Sequence, residues 1–129
     1  MNISRGFFVI GGLYLLVGIA MGMVMGATAD FSLAPLHAHI NLLGFVLMTL
    51  FGLIYHVFPQ MAGNMLARAH FWMHQAGALI LLIMLFLLLS GRITDAQMPP
   101  LAPLAEGLVW LGTLGFVINV WMNAKPRTA

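Results

Sequence analysis

The chain has 129 residues, of which 62% are hydrophobic and 6% charged, with a net charge of +2, a mean hydropathy of +1.02 and no cysteine. A soluble domain carries about 25% charged residues, so these few charges cannot cover a water-facing surface, and lipid is the expected solvent. The missing thiols exclude disulfides, thiolate metal centres and thiol catalysis. The basic pI of 9.7 reflects few charges rather than a basic patch, and does not point to nucleic acid.

The first apolar run, residues 6–27, follows Arg5 and carries Gly18, Gly22 and Gly26 at four-residue spacing. Small residues so spaced make a face for close helix approach, within or between subunits. Arg5, the run and Ala27-Thr28-Ala29 imitate a signal peptide, but the run exceeds the usual h-region of about 7–15 residues, so a retained span is expected. Met21, Met23 and Met25 near its far end are soft ligands suited to copper(I). Methionine is equally an ordinary gap-filling and lipid-facing residue, which is the expectation here.

The second run, residues 36–58, opens with His37 and His39. On an α-helix, residues two apart point about 200° from each other. The pair cannot easily hold one metal between them, but each can reach a different ligand. The plainer reading is hydrogen bonding at the membrane interface. His56 lies seventeen residues beyond His39, about 25 Å of helix rise, so it belongs to the opposite side. The third run, residues 71–90, is preceded by His70 and contains His74. Four apart, these share a face at a spacing that can hold a metal, although interfacial histidines at a helix start are the simpler expectation. The fourth run, residues 101–123, contains Glu106, the carboxylate deepest in an apolar segment. It either accepts a hydrogen bond from a histidine and tunes a metal ligand, or sits among lipid headgroups.

Each run has about 20 residues, enough to cross a hydrocarbon core of about 30 Å. None shows the period-two alternation of a barrel strand. The expected fold is therefore all-α: a single four-transmembrane-helix domain over residues 1–129. Arg5, Arg68, Lys125 and Arg127 fall on one side and Arg92 on the other. The positive-inside rule then places both chain ends in the cytoplasm, in a multi-pass protein of the cell inner membrane. No phosphate loop, nucleophile with a base, or zinc HExxH is present.

The stretch HAHINLLGFVLMTLFGLIYHVFPQMAG, from His37 to Gly63, resembles the tenth transmembrane helix of heme-copper oxidase subunit I. That helix carries H-x-H, then a Gly, then Y-x-x-F-P-x-M-x-G. The matching positions are His37, His39, Gly44, Tyr55, Phe58, Pro59, Met61 and Gly63. The following segment, with His70-Phe71-Trp72 and Gly77, resembles the start of the family's eleventh helix after a slightly shorter loop. In that family the first His of H-x-H is the axial ligand of the high-spin haem and the second an axial ligand of the low-spin haem. The resemblance thus implies that His37 and His39 bind haem iron, in accord with their divergent directions.

The departures shape the expected function. The family's copper site, three histidines with a cross-linked tyrosine, has no motif here, so oxygen reduction by that route is not expected. Four helices stand where the family's subunit has at least twelve in an approximately threefold arrangement. A homotrimer would restore that number, with a haem at each interface between His37 of one subunit and His39 of the next. The resulting expectation is a b-type haem protein for electron transfer, exchanging electrons with membrane quinol or a periplasmic redox protein, with turnover of a substrate of its own left open. C-type attachment is excluded by the absent cysteines. A haem held by one histidine would instead bind nitric oxide, carbon monoxide or oxygen, as a sensor or reductase. A non-redox structural or assembly subunit of a respiratory complex, and a copper-handling protein, are the remaining alternatives. His56, His70, His74 and Glu106 are carried as secondary candidates.

Overall fold

Long apolar runs interrupted by capping residues, prolines and glycines fold into four long helices. A computed structural model describes residues 2–125. Helix α1 spans Ile3–Thr28, α2 Ala34–Val57, α3 Met65–Leu89 and α4 Leu101–Asn123. All four are long and apolar enough to cross a membrane, and no strand occurs among the described residues. By length and composition the chain fits a multi-pass membrane protein.

Local chemistry sets the helix ends. The Asn2 side chain accepts from the Arg5 N–H at 2.9 Å, capping α1. At its other end Ala29 takes a left-handed conformation, φ 54°. In the turn that follows, Asp30 Oδ1 accepts from the Ser32 N–H at 2.9 Å, which holds the Asp30 carboxyl below its ordinary value. Pro35 sits in the first turn of α2, where its missing N–H costs nothing. Pro59 ends α2, because the residue before a proline avoids the helical region, and Pro59–Ala62 forms a separate single turn.

Helix α3 begins at Met65, six residues before the apolar run that starts at 71. The reason is Asn64, whose side chain caps the Ala67 N–H at 2.9 Å. Hydropathy marked where the lipid-facing surface begins, whereas the cap determines where the helix begins. At the far end, Gly91 (φ 71°) supports a Schellman closure: the Arg92 N–H donates to Leu87 O at 2.9 Å and the Gly91 N–H to Leu88 O at 3.0 Å.

The helices pack as two hairpins, α1 with α2 and α3 with α4. On α1 the buried positions include Ser4, Phe7, Gly11, Gly18 and Met25, close to the seven-residue repeat of left-handed coiled packing. Gly18 and Gly22 belong to this intrachain interface, lying under Asn41 and His37 of α2, while Gly26 has no neighbour within 4 Å. Ser4 Oγ donates to Gly52 O at 2.8 Å across the same interface. In the second hairpin, a Cβ on Gly77 would stand 2.8 Å from Ala105 O, so glycine is what permits that approach.

Both hairpins meet around Phe7, Phe51, Tyr55, Phe71 and Phe116. Near the α1–α2 turn the core thins to Leu36, Ile40 and Leu82. An asparagine cluster fastens the opposite end. Asn119, fully buried, donates to Met61 O at 3.0 Å and accepts from Asn64 Nδ2 at 2.7 Å and Asn123 Nδ2 at 2.9 Å. Gln60 Nε2 also donates to Lys125 O at 3.0 Å. Residues 2 and 125 therefore share one end of the bundle with Arg5 and Arg68, and Arg92 lies at the other. Arg127 lies outside the described residues.

Helix α2 departs from a regular α-helix. After the α-helical Ala34–His39 it widens into a π-helix over Ile40–Val46 and returns to α over Leu47–Val57. The sequence predicts a plain helix there, since apolar spacing over one wide turn looks like ordinary amphipathic drift.

Candidate functional site

His37 and His39 occupy the last turn before the π-helix and face different surroundings. His37 is half-buried against α1, where a Cβ on Gly22 would stand 3.1 Å from its Cε1. The Asn41 amide lies against the ring, with Nδ2 3.2 Å from His37 Nε2 and 3.5 Å from Nδ1, while donating to His37 O at 2.9 Å. Gly18 leaves the room that Asn41 needs.

His39 is exposed, and its Nδ1 lies 2.7 Å from Pro35 O. A carbonyl only accepts, so Nδ1 carries the hydrogen, and in the neutral imidazole Nε2 then keeps its lone pair. An imidazole whose second nitrogen is anchored to a carbonyl is the usual arrangement of a histidine metal ligand. His39 thus presents a basic, oriented nitrogen outward from the chain, about 200° around the helix from His37.

His70 and His74 of α3 are fully buried. Their rings pack among Phe7 of α1, Phe51 of α2 and Phe116 of α4. Phe51 stands edge-on, with centroids 4.4 Å from His70 and 5.2 Å from His74. Each ring uses one nitrogen. His70 Nδ1 is 3.0 Å from the Tyr55 hydroxyl, and His74 Nε2 donates to Leu43 O at 3.2 Å. The π-helix explains that acceptor. Where the ladder returns to four-residue spacing, one carbonyl loses its own N–H. The Leu47 N–H goes to Leu42 O, leaving Leu43 O for His74. The remaining nitrogens, His70 Nε2 and His74 Nδ1, are buried without a partner.

His70 and His74 therefore lie inside the bundle rather than at an interface, contrary to the simpler expectation. His56 is exposed at the terminal end, beside a pocket of about 420 Å³ that it lines with Asn2, Ser4 and Tyr55. The structure separates it from His39, as the helix rise requires. Glu106 is exposed in the second turn of α4 and bonds none of the histidines within the described chain. Met21, Met23 and Met25 diverge, half-buried, exposed and buried in turn. Among the described residues no three His, Cys, Asp or Glu side chains stand together as a metal cage.

Two participants escaped sequence reasoning. Asn41 stands four residues beyond His37 on one helix face, a spacing that pairs the two side chains and was the signal available in the sequence. The Tyr55–His70 bond joins residues fifteen apart across a helix break, which no periodicity reveals. No protein-family model, curated protein or solved structure matches the chain.

Proposed function

We propose that this chain is a membrane-bound b-type haem protein that carries electrons, with His37 and His39 as axial ligands and three copies assembling around interfacial haems. The observation that carries this reading is His39: exposed, its Nδ1–H bound to Pro35 O, its Nε2 free to ligate. The resemblance of residues 37–63 to the haem-binding helix of heme-copper oxidase subunit I supports it. So does the divergence of the two imidazoles, which cannot easily hold one iron between them and fits ligands shared between neighbours. Haem, when bound, supplies one-electron redox chemistry. The chain contributes an oriented lone pair, the α1–α2 packing that holds His37, and an apolar surround that excludes water.

Oxidised and dithionite-reduced absorption spectra, with and without carbon monoxide, test this. Sharp reduced bands insensitive to carbon monoxide are expected, and His37→Ala and His39→Ala should each abolish them. Native mass measurement should give three times the 14.1 kDa chain plus haem. A monomer with haem bound would overturn the interfacial arrangement.

One observation favours a second reading. The Asn41 amide lies against both His37 ring nitrogens, a setting less free than that of His39. Haem held by His39 alone would leave an open iron position and a gas-binding protein. Bands that shift with carbon monoxide and survive His37→Ala would mark that case.

A further inference from the structure

We propose that Tyr55, His70 and His74 form a proton relay from the terminal end of the bundle to the π-helix of α2, in the middle of the bilayer. Ionisable and polar side chains deep in a membrane helix bundle are expensive, and where they occur they by default mark a function. These three are fully or almost fully buried, and the haem-ligand reading leaves them without a task.

The chain starts at the polar pocket of about 420 Å³ that Tyr55 lines with Asn2, Ser4 and His56. It continues through the 3.0 Å bond from the Tyr55 hydroxyl to His70 Nδ1. His70 and His74 have ring centroids 5.9 Å apart, and each keeps one buried ring nitrogen without a partner, His70 Nε2 and His74 Nδ1. It ends at Leu43 O, four residues beyond His39. The side chains stacked on the two imidazoles from α1, α2 and α4 are Phe7, Phe51, Tyr55 and Phe116, of which only Tyr55 titrates. Arg68, the nearest charge in sequence, is exposed.

Hydrogen-bond polarity gives the relay a direction. Leu43 O can only accept, so His74 Nε2 holds a hydrogen and His74 Nδ1 is an acceptor. The complementary state of His70 has hydrogen on Nε2, and Tyr55 then donates to His70 Nδ1. Every hydrogen points from the pocket toward the π-helix. A proton taken up by the Tyr55 oxygen displaces the hydroxyl proton to His70 Nδ1, and the His70 Nε2 proton passes to His74 Nδ1. Tyr55 and His70 end neutral, His74 ends as imidazolium with its Nε2–H still on Leu43 O, and one proton has moved. An electron on a haem held by His37 or His39 would be the counter-charge that retains it, and to that extent the relay rests on the haem reading.

The pH dependence of the haem midpoint potential reads the coupling. One proton taken up per electron lowers the potential by about 59 mV per pH unit. A slope approaching that value is expected between pH 6 and 8, and Tyr55→Phe and His74→Phe should flatten it while the reduced bands persist. Should Tyr55→Phe fail to insert, His70→Asn interrupts the same chain. Haem bands with a flat slope in the wild type, or a slope unchanged in these variants, overturn the relay and leave the haem reading intact. If haem bands are absent, the haem reading fails, and nitrogen NMR of ¹⁵N-histidine-labelled protein in lipid decides the relay by itself. A His74 with hydrogen on Nε2 and an accepting Nδ1, perturbed by Tyr55→Phe, supports the chain; hydrogen on His74 Nδ1 overturns it.

Discussion

A side chain at position 22 would stand 3.1 Å from the His37 ring, and one at position 18 would meet Asn41 more closely still. Gly22→Leu is therefore expected to push His37 off α1. Under the haem reading it shifts or abolishes the reduced bands, while Gly26→Leu, with nothing within 4 Å, leaves them unchanged. Absorption spectra of the two variants make the comparison. At Ala29 the left-handed backbone, φ 54°, disfavours any residue with a Cβ. Ala29→Gly should raise stability by up to about 1 kcal/mol, read as a higher unfolding midpoint in detergent. Asn119 is the polar residue whose loss should cost most. Asn119→Leu leaves Met61 O and the Asn64 amide unpaired in an apolar surround, a destabilisation of about 1–3 kcal/mol. The histidine pair, with its divergence, was legible from spacing alone. Tyr55 and Asn119 were not, because their partners come from other helices or from across a break in the chain, whereas Asn41 meets His37 one turn away on the same helix.

At the scale of the element, α2 carries both histidines of the haem reading, and its π-helix over Ile40–Val46 connects two faces that a plain helix would rotate differently. Deleting Leu42 should close the wide turn to ordinary α-helix and, because a π-turn holds one residue more than an α-turn, leave His37 and His39 facing as before relative to Phe51 and Tyr55. Circular dichroism is expected to show retained helix, and under the haem reading absorption spectra keep the reduced bands. It would also remove the register change that frees Leu43 O, so His74 loses its acceptor. The α3–α4 hairpin depends on close backbone approach at Gly77. Gly77→Leu, forcing a side chain against Ala105 O and Val109, should lower stability by about 1–3 kcal/mol. Helix number was readable because four apolar runs each match the bilayer thickness. The α3 start was not, because a capping asparagine placed it ahead of the hydropathy boundary.

At the scale of the molecule, the described ends of the chain meet at one end of the bundle, beside Arg5 and Arg68. Under the positive-inside reading this end faces the cytoplasm. The chain contains no cysteine, so single-cysteine variants at Asn2 and Ser32 give a clean test. Asn2→Cys should react only with membrane-permeant reagents in intact cells, and Ser32→Cys with impermeant ones; the reverse pattern would invert the topology.

Composition and run length by themselves determined the all-helical, lipid-solvated class and the number of spans, since those depend on transfer free energy summed along each segment. Spacing by itself determined that His37 and His39 point apart. Only the tertiary structure decided that His70 and His74 are interior, that Gly18 and Gly22 serve an intrachain contact, and that a π-turn supplies His74 with an acceptor. Those outcomes depend on which helix faces which, and in lipid that choice comes from close packing and polar pairing between segments.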